Sequence, residues 1–208
     1  MNKVINEQHI NFLKKIGAAT TKNHVVIPGG KHATASFTKY KLFPQPEKTR
    51  IIAKTIAAQF AKDRIQAVVG AANGGSILAV LVAEQLSKQL RRSIPSFYTE
   101  LDSNGGLVLK DAANRLALRH RRVLMVDDTV RDGATMRQVR TYLTKLRAEV
   151  VGLGVICVRN EEAASNWDKT KFYSYAVFND QQDSFLPANC PLCRAGIPMS
   201  KKFGTTTV

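Results

Sequence analysis

The chain has 208 residues, of which 44% are hydrophobic, so it is long enough for one globular domain with a substantial core. Its 31 Lys and Arg against 16 Asp and Glu give a net charge of +15, which favours anionic partners. The longest apolar stretch, residues 77–83, is too short to span a bilayer, and the N-terminus lacks the apolar core of a signal peptide. Three cysteines do not make a disulfide framework. These features argue against membrane and disulfide-rich secreted proteins, and we expect a cytoplasmic protein.

The basic residues are scattered, with only short runs at residues 119–122 and 201–202. No zinc-finger spacing, RNA-recognition signature or clear helix-turn-helix pattern accompanies them. A diffuse basic surface of this kind is most often a solvated surface. We therefore expect no membrane partner, and nucleic-acid binding stays open as an alternative that we do not favour.

The first 60 residues show short, mixed patterns. An apolar stripe predicts an amphipathic helix over residues 6–17, and residues 25–27 predict a short strand followed by a turn. The alternation of residues 31–40 predicts a second strand. Pro46 begins a helix that places three large apolar residues on one face, namely Ile52, Ile56 and Phe60.

From Ile65 onward, strands and helices alternate. Residues 100–115 are expected to form a long loop or hairpin between two of these strands. Strands are predicted at residues 67–69, 94–99, 123–126, 150–158 and 172–177, and helices at residues 76–90 and from Met136. This rhythm is typical of an α/β fold with a central, mainly parallel sheet flanked by helices.

The most informative stretch is residues 123–135. An apolar strand ends in two adjacent carboxylates, Asp127 and Asp128, and a turn through Gly133 leads into a helix. In a parallel sheet such a loop lies at the carboxyl edge, where ligands bind. The carboxylates can hold sugar hydroxyls or Mg²⁺, while the N–H groups of the turn and the Thr135 hydroxyl suit a phosphate. One loop with both properties predicts a phosphorylated sugar as the ligand.

Other interpretations of this loop stay open: a metal-holding strand of a P-loop ATPase, a receiver-like acidic pocket, or a purely structural loop. The motif G-x-x-x-x-G-K-S/T is absent from the chain, which argues against the first. A second loop, residues 71–75, also joins a strand to a helix, and its glycines let backbone N–H groups approach an anion. Alone it is more often a tight connection, but two such loops favour one site for a pyrophosphate and one for a sugar phosphate.

Two other motifs are interpreted as structural. Gly152-x-Gly154 lies inside an apolar strand and is not a dinucleotide fingerprint. Cys190-x-x-Cys193 lacks further ligands, because the third cysteine, Cys157, lies in a predicted core strand. The histidines show no paired spacing for a metal: His9, His24, His32 and His120. We therefore expect no zinc at Cys190 and Cys193.

Taken in order, these motifs resemble a known family. Residues 123–135 resemble the phosphoribosyl diphosphate (PRPP) signature of the type I phosphoribosyltransferases, and residues 29–32 are similar to a segment of orotate phosphoribosyltransferases. Residues 98–110 resemble the flexible loop of one bacterial and archaeal branch, which also ends in a Cys-Pro-x-Cys segment like residues 190–198. The resemblance implies a homodimer of single domains, residues 1–208. In each subunit, residues 46–177 would form an α/β core, and residues 1–45 and about 178–208 would form a small hood.

The resemblance implies Mg²⁺-dependent displacement of pyrophosphate from C1 of PRPP by a nitrogenous base, most closely orotate. Asp127 and Asp128 would hold the ribose hydroxyls as catalytic and PRPP-binding residues, and the flexible loop would add Glu100 and Lys110. The 5′-phosphate would be bound by Arg131, Gly133, Ala134 and Thr135, and the pyrophosphate by Ala72, Asn73, Gly74 and Gly75. The base would contact Lys31, Phe37 and Arg159. Mg²⁺ would be held mainly by PRPP itself.

The chain departs from the family pattern at two places. Arg131-Asp132 stands where the family has Thr or another small residue, and an aspartate there repels a phosphate unless it points away or pairs with a cation. Leu101 follows Glu100 where the branch has a lysine that neutralises the pyrophosphate. These departures motivate two alternatives: a PRPP-binding regulator with weak or no transferase activity, and a transferase for a purine or another base.

Overall fold

The structure, a computed structural model, describes residues 3–27, 29–159, 167, 170–178 and 184–200. The helices are α1 (Lys3–Lys15), α2 (Lys39–Leu42), α3 (Pro46–Phe60), α4 (Gly74–Leu90), α5 (Ala112–Leu118), α6 (Ala134–Lys145) and α7 (Pro191–Arg194). The first eight strands are β1 (Ala19–Thr20), β2 (Val25–Val26), β3 (His32–Ala33), β4 (Ser36–Phe37), β5 (Ala67–Gly70), β6 (Ser96–Tyr98), β7 (Glu100–Leu101) and β8 (Leu107–Val108). The others are β9 (Arg122–Val130), β10 (Glu149–Val158), β11 (Lys171–Val177) and β12 (Ser184–Phe185).

A five-stranded sheet forms the centre of the molecule, with strand order β11-β10-β9-β5-β6. All four pairings are parallel, so the predicted α/β fold with a parallel central sheet is confirmed. β9 is the middle strand and is buried along nearly its whole length. Its carboxyl end therefore lies in the middle of the edge where open parallel sheets bind ligands.

Alternate residues of β9 bury into two different cores, as the period of a strand requires. Leu124 and Val126 pack with α1, α3 and α4 on one face of the sheet. Val123 and Met125 pack with α6 on the other face. Because helices cover both faces, the strands are apolar on both sides, which is why they are near-continuous apolar runs in the sequence.

Gly152 and Gly154 allow helix α3 to approach the sheet closely. A Cβ at Gly152 would collide with the Phe60 ring, and one at Gly154 would lie 2.6 Å from Ile56 Cγ2. Their role is packing, in agreement with the structural interpretation of this motif.

Smaller sheets flank this core. β2, β3 and β12 form a three-stranded antiparallel sheet, here called the small sheet, which joins the N-terminal and C-terminal parts of the chain. β1 pairs with β4, and β7 pairs with β8 as a hairpin. α1, in the part that the resemblance assigned to the hood, packs against β11 of the central sheet, with Leu13 in the main core.

Three predicted elements are corrected by the structure. Residues 31–40 are not one strand but β3, β4 and the start of α2, because the alternation spans two short strands with a turn between them. Residues 100–115 were predicted as a loop or hairpin, but helix α5 begins within them at Ala112. The supposed acidic loop is the end of β9, where Asp127 pairs with Val155 of β10. Within the described ranges, no helix has both the length and the apolar character needed to cross a membrane.

Candidate active site

A cleft of about 1110 Å³ opens at the carboxyl end of β9. Its described lining comes from residues 36–41, 72–73, 127–136 and 138, with Leu101, Leu107 and Arg159. Cations and carboxylates both belong to this lining: Lys39, Lys41, Arg131 and Arg159 with Asp127, Asp128 and Asp132. The cleft therefore suits a ligand that carries both hydroxyl and anionic groups.

Asp127 and Asp128 form the floor of the cleft and are only 6% and 7% exposed. The Asp128 N–H donates to Asp127 Oδ1 at 2.8 Å, which holds the first carboxylate against the backbone. Burial, and then the negative charge of Asp128, raise the pKa of Asp127 well above its ordinary value of 3.8. Asp127 is therefore under electrostatic strain that a hydrogen-bond donor from a ligand would relieve.

Lys39, at the start of α2, lies against the second carboxylate. Its Nζ is 3.0 Å from Asp128 Oδ2. Burial is the largest single effect and lowers the pKa of Lys39, but the charge and hydrogen bond of Asp128, together with Tyr40 and Asp127, raise the pKa above its ordinary 10.5. The sequence-based reasoning missed this residue. Its only sequence signal is a lysine two positions after Phe37, in a segment whose alternation predicted a strand.

The loop before α4 reaches the carboxylates because two glycines stand there. A Cβ at Gly74 would lie 2.5 Å from Asp128 Oδ2, and one at Gly75 would lie 3.2 Å from Asp127 Oδ1. Ala72 and Asn73 line the cleft, whereas Gly74 and Gly75 lie behind them against the carboxylates. Asn73 has φ 63° and ψ −107°, a conformation that few residues with a side chain adopt. Such backbone strain is concentrated at functional sites.

The turn before α6 presents the start of a helix to the cleft. Gly133 has φ 78°, and a Cβ there would lie 2.9 Å from Arg137 Nη1 and 3.1 Å from Trp167 Cζ2, so only glycine fits without strain. Ala134 and Thr135 follow it on the cleft wall. The Ala134 N–H donates to Asp132 Oδ1 at 2.9 Å. The carboxylate of Asp132 therefore occupies the N-terminus of α6, where the phosphate of a ligand would bind.

Of the three residues expected to contact a base, two line the cleft and one does not. Phe37 of β4 and Arg159 after β10 both line the cleft, and Arg159 is only 7% exposed. Lys31 is exposed and lies outside the cleft lining.

Glu100 and Lys110 belong to the β7–β8 hairpin region rather than to the cleft lining. They form an ion pair with each other, with Lys110 Nζ 3.5 Å from Glu100 Oε1. Their side chains are 43% and 58% exposed, so water screens this pair strongly. Leu101 of the same hairpin does reach the cleft lining.

A second polar cluster lies outside the cleft lining. His24, His32, Cys190 and Cys193 place one possible ligand atom each within 4.8 Å of one another; we call them the Cys–His cluster. The sequence analysis found no further ligand for Cys190 and Cys193, whereas the structure places His24 and His32 beside them; the absence of zinc stays a prediction. His24 lies 166 positions before Cys190, and the pairing of β3 with β2 and β12 brings the histidines and the cysteines together.

The family model of the phosphoribosyl transferase domain matches residues 42–188. The chain therefore belongs to this family, and the predicted family and enzyme class, a phosphoribosyltransferase, are confirmed.

Similar proteins include an orotate phosphoribosyltransferase of Caldanaerobacter subterraneus subsp. tengcongensis, 30% identical over 180 residues that cover 86% of this chain and 88% of the relative. Another, from Desulforamulus reducens, is 28% identical over 195 residues, covering 94% of this chain and 95% of the relative. The crystal structure of orotate phosphoribosyltransferase from Aeropyrum pernix has the same fold, with a TM-score of 0.60 and 21% identity. The structural alignment covers 81% of this chain and 93% of the Aeropyrum pernix chain.

Proposed function

We propose that this protein transfers the phosphoribosyl group of PRPP to orotate and releases orotidine 5′-phosphate and pyrophosphate. The observation that carries the proposal is the cleft in which two buried carboxylates lie between two glycine-dependent turns. The orotate phosphoribosyltransferases among the relatives, which match this chain over most of its length, support orotate as the base.

In this proposal each wall of the cleft binds one part of PRPP. Asp127 and Asp128 accept hydrogen bonds from the ribose hydroxyls, and the turn at Gly133 with Ala134 and Thr135 binds the 5′-phosphate. The loop through Asn73 faces the pyrophosphate. The bond from a base nitrogen to C1 forms as the C1–O bond to pyrophosphate breaks, and the electron pair leaves with pyrophosphate. The proton of that nitrogen passes to the released pyrophosphate or to solvent.

Phe37 and Arg159 are the residues that we propose for the base, since both line the same cleft. An arginine presents a planar, bidentate donor that matches a carboxylate such as that of orotate. Lys31, Glu100 and Lys110 would reach the cleft only if the small sheet or the hairpin moved, so their proposed roles depend on closure.

The donor set of the cleft fits Mg²⁺ only in part. Carboxylate oxygens are suitable ligands, but Asp128 is paired with Lys39 and Asp127 is buried. We therefore propose that Mg²⁺ is held mainly by the PRPP oxygens, with Asp127 and Asp128 as the protein groups nearest to it. When bound, the ion neutralises charge on the leaving pyrophosphate.

We also propose a homodimer. Apolar side chains are exposed on α4 and on β6, which pack against each other at one edge of the sheet: Ile77 (46%), Val80 (56%) and Tyr98 (53%). Sedimentation equilibrium would give the mass of a dimer, and Val80→Glu would shift it towards the monomer. A monomer for the unsubstituted protein would contradict this part of the proposal.

The function is tested by incubating the protein with Mg²⁺, PRPP and a panel of bases while pyrophosphate release is followed. We expect release with orotate and not with adenine, guanine, hypoxanthine or uracil. If pyrophosphate is released with only one other base, that base and not orotate is the substrate. If no base reacts while PRPP still raises the melting temperature, the regulator alternative is favoured instead.

A further inference from the structure

The Cys–His cluster has the geometry of a metal site. His24 Nε2 lies 3.0 Å from His32 Nδ1, and Cys193 Sγ lies 3.2 Å from that same His32 nitrogen. The sulfurs of Cys190 and Cys193 lie 3.6 and 3.7 Å from His24 Nε2. Zinc–nitrogen distances of about 2.1 Å and zinc–sulfur distances of about 2.3 Å place the ligands of a tetrahedral ion about 3.4–3.8 Å apart. The two separations from His24 Nε2 to the sulfurs lie in this range, the two to His32 Nδ1 are shorter, and all four atoms lie within 4.8 Å of one another.

Hydrogen bonds alone do not account for this arrangement. His24 Nε2 faces three heteroatoms, one on each of His32, Cys190 and Cys193. A ring nitrogen has either one hydrogen or one lone pair in the ring plane, so it satisfies one such partner. A cation at the centre would engage all four side chains at once.

The orientation of His24 supports the same conclusion. Its other ring nitrogen, Nδ1, lies 2.7 Å from the Ile197 carbonyl oxygen. A carbonyl only accepts, so Nδ1 carries the hydrogen, and in the neutral ring Nε2 then presents its lone pair to the cluster. Metal-bound histidines commonly donate their second N–H to a backbone carbonyl in this way.

We propose that His24, His32, Cys190 and Cys193 bind a structural Zn²⁺ ion. Two thiolates and two imidazoles are a ligand set that zinc prefers, and four protein ligands leave no open position for a substrate. His24, His32 and Cys190 are buried, and the exposed Cys193 gives the ion a route into the site. Neither Cys190 nor Cys193 forms a disulfide in the structure.

The ion would stabilise a layer that has little apolar core of its own. The apolar cluster of the small sheet contains three described residues, Val25, Ile27 and Ala33. Such a small core contributes little stability, and metal ions commonly compensate for this in small units. The site links the β2–β3 hairpin to α7, across a separation of 166 residues between His24 and Cys190.

The same link fixes a wall of the cleft. His32 of β3 is followed directly by residues 33–38, which lead through Phe37 to Lys39 at the cleft. Zinc would therefore hold the segment that carries Lys39 without itself touching the ligand. This inference stands on the cluster alone and does not depend on which base the enzyme uses.

The test is the metal content of the untagged full chain, produced with zinc in the medium and purified without chelators. We expect about one zinc per chain by mass spectrometry, and a loss of about tenfold or more in Cys193→Ser and His32→Gln. Cys157→Ala and His120→Gln change the same residue types outside the cluster and should keep the metal. Replacement by Co²⁺ should give the absorption bands of a tetrahedral, thiolate-ligated ion, and chelation should lower the melting temperature.

Three results would overturn the proposal. One is wild-type protein that holds no zinc and, after reduction, gives no such Co²⁺ spectrum. The second is a Cys190–Cys193 disulfide in the freshly isolated protein. The third is full zinc content in both ligand variants. The Co²⁺ spectrum of the wild type decides the question even if His32→Gln fails to fold.

Discussion

The molecule has two polar clusters that are built in opposite ways. In the cleft, Asp127 and Asp128 lie side by side at the end of β9, with one lysine as the partner of Asp128. In the Cys–His cluster, four donors converge on one point and are largely enclosed by protein. The first arrangement places two carboxylates beside an open cleft, while in the second four protein side chains would fill every position around one ion.

Because of this difference, we expect the cleft to determine ligand binding and the Cys–His cluster to determine stability. A buried carboxylate with a raised pKa destabilises the free protein and gains from a ligand that supplies donors. A closed ligand set instead stabilises the folded chain when its ion is bound. Substitutions in the cleft should therefore change PRPP binding with little loss of stability. Substitutions in the Cys–His cluster should do the reverse.

The largest effect is expected for Asp128→Asn. It removes the charge that pairs with Lys39 at 3.0 Å and that we expect to accept from a ribose hydroxyl. A hydrogen bond to a charged group contributes roughly 1.5–3 kcal/mol, so kcat/KM for PRPP should fall about 10- to 100-fold. Steady-state kinetics measure this.

Asp111→Asn makes the same chemical change at the exposed N-cap of α5, where asparagine also caps well, and should leave kcat/KM unchanged. Equal effects of the two substitutions would remove Asp128 from the site. A loss of zinc in Asp128→Asn would show that the two clusters are not independent.

Gly133→Ala should lower PRPP affinity by about tenfold, because it perturbs both the φ of 78° and the contacts of the turn with Arg137 and Trp167. Gly17→Ala is the matched control. Gly17 has a φ of 76° but nothing within 4 Å of its Cβ position, so only backbone strain of about 1–2 kcal/mol is added. Titration calorimetry with PRPP and thermal unfolding separate the two effects. Similar PRPP affinities in both variants would contradict a role for this turn in phosphate binding.

Asp127→Asn should stabilise the free protein at neutral pH while it weakens PRPP binding. The folded-state pKa of Asp127 is raised, so below the ordinary value of 3.8 the carboxyl is protonated in both states and costs nothing. As the pH rises from there through the raised pKa, wild-type stability falls relative to the variant, which cannot ionise. We expect a melting temperature a few degrees higher at pH 7, on a scale of about 2–4 °C per kcal/mol.

Melting curves of Asp127→Asn and the wild type across this pH range test the sign. The difference should shrink as the pH falls towards 4. A variant that is less stable than the wild type at pH 7 would show that the ionised carboxylate is well compensated in the free cleft.

The smallest effect is expected for Asp132→Asn. The amide oxygen can still accept from the Ala134 N–H, but the negative charge at the helix start is removed. Charges at a helix terminus contribute roughly 0.3–1 kcal/mol, so PRPP affinity should rise about two- to fivefold. Calorimetric titration at low ionic strength measures it. A fall in affinity would mean that Asp132 helps to bind the ligand.

The central sheet could be predicted because its three inner strands, β5, β9 and β10, are largely apolar. The errors lie where elements are short. Residues 31–40 alternate like one strand, yet they contain β3, β4 and the first turn of α2, since tertiary pairing with β1 and β2 divides them. The alternation of apolar and polar residues within one segment does not show which other strands that segment pairs with.

The same distinction holds for the sites. Asp127, Asp128 and Gly133 lie in one contiguous motif, and their proximity follows from the sequence itself. Lys39 and His24 lie in none of the motifs, and the 29–32 segment that ends in His32 gives no sign that this histidine contacts a cysteine. His24 meets Cys190 only because the small sheet folds one end of the chain against the other. Spacing along the sequence could not predict those contacts.

The central claim is that the cleft between the two turns binds PRPP through Asp127 and Asp128. Isothermal titration of PRPP with Mg²⁺ into the wild type, Asp128→Asn and Asp111→Asn measures this binding without any chosen base. We predict a single class of saturable sites in the wild type and in Asp111→Asn, and strongly weakened binding in Asp128→Asn. No binding to the wild type, or equal affinity in all three proteins, would contradict the claim.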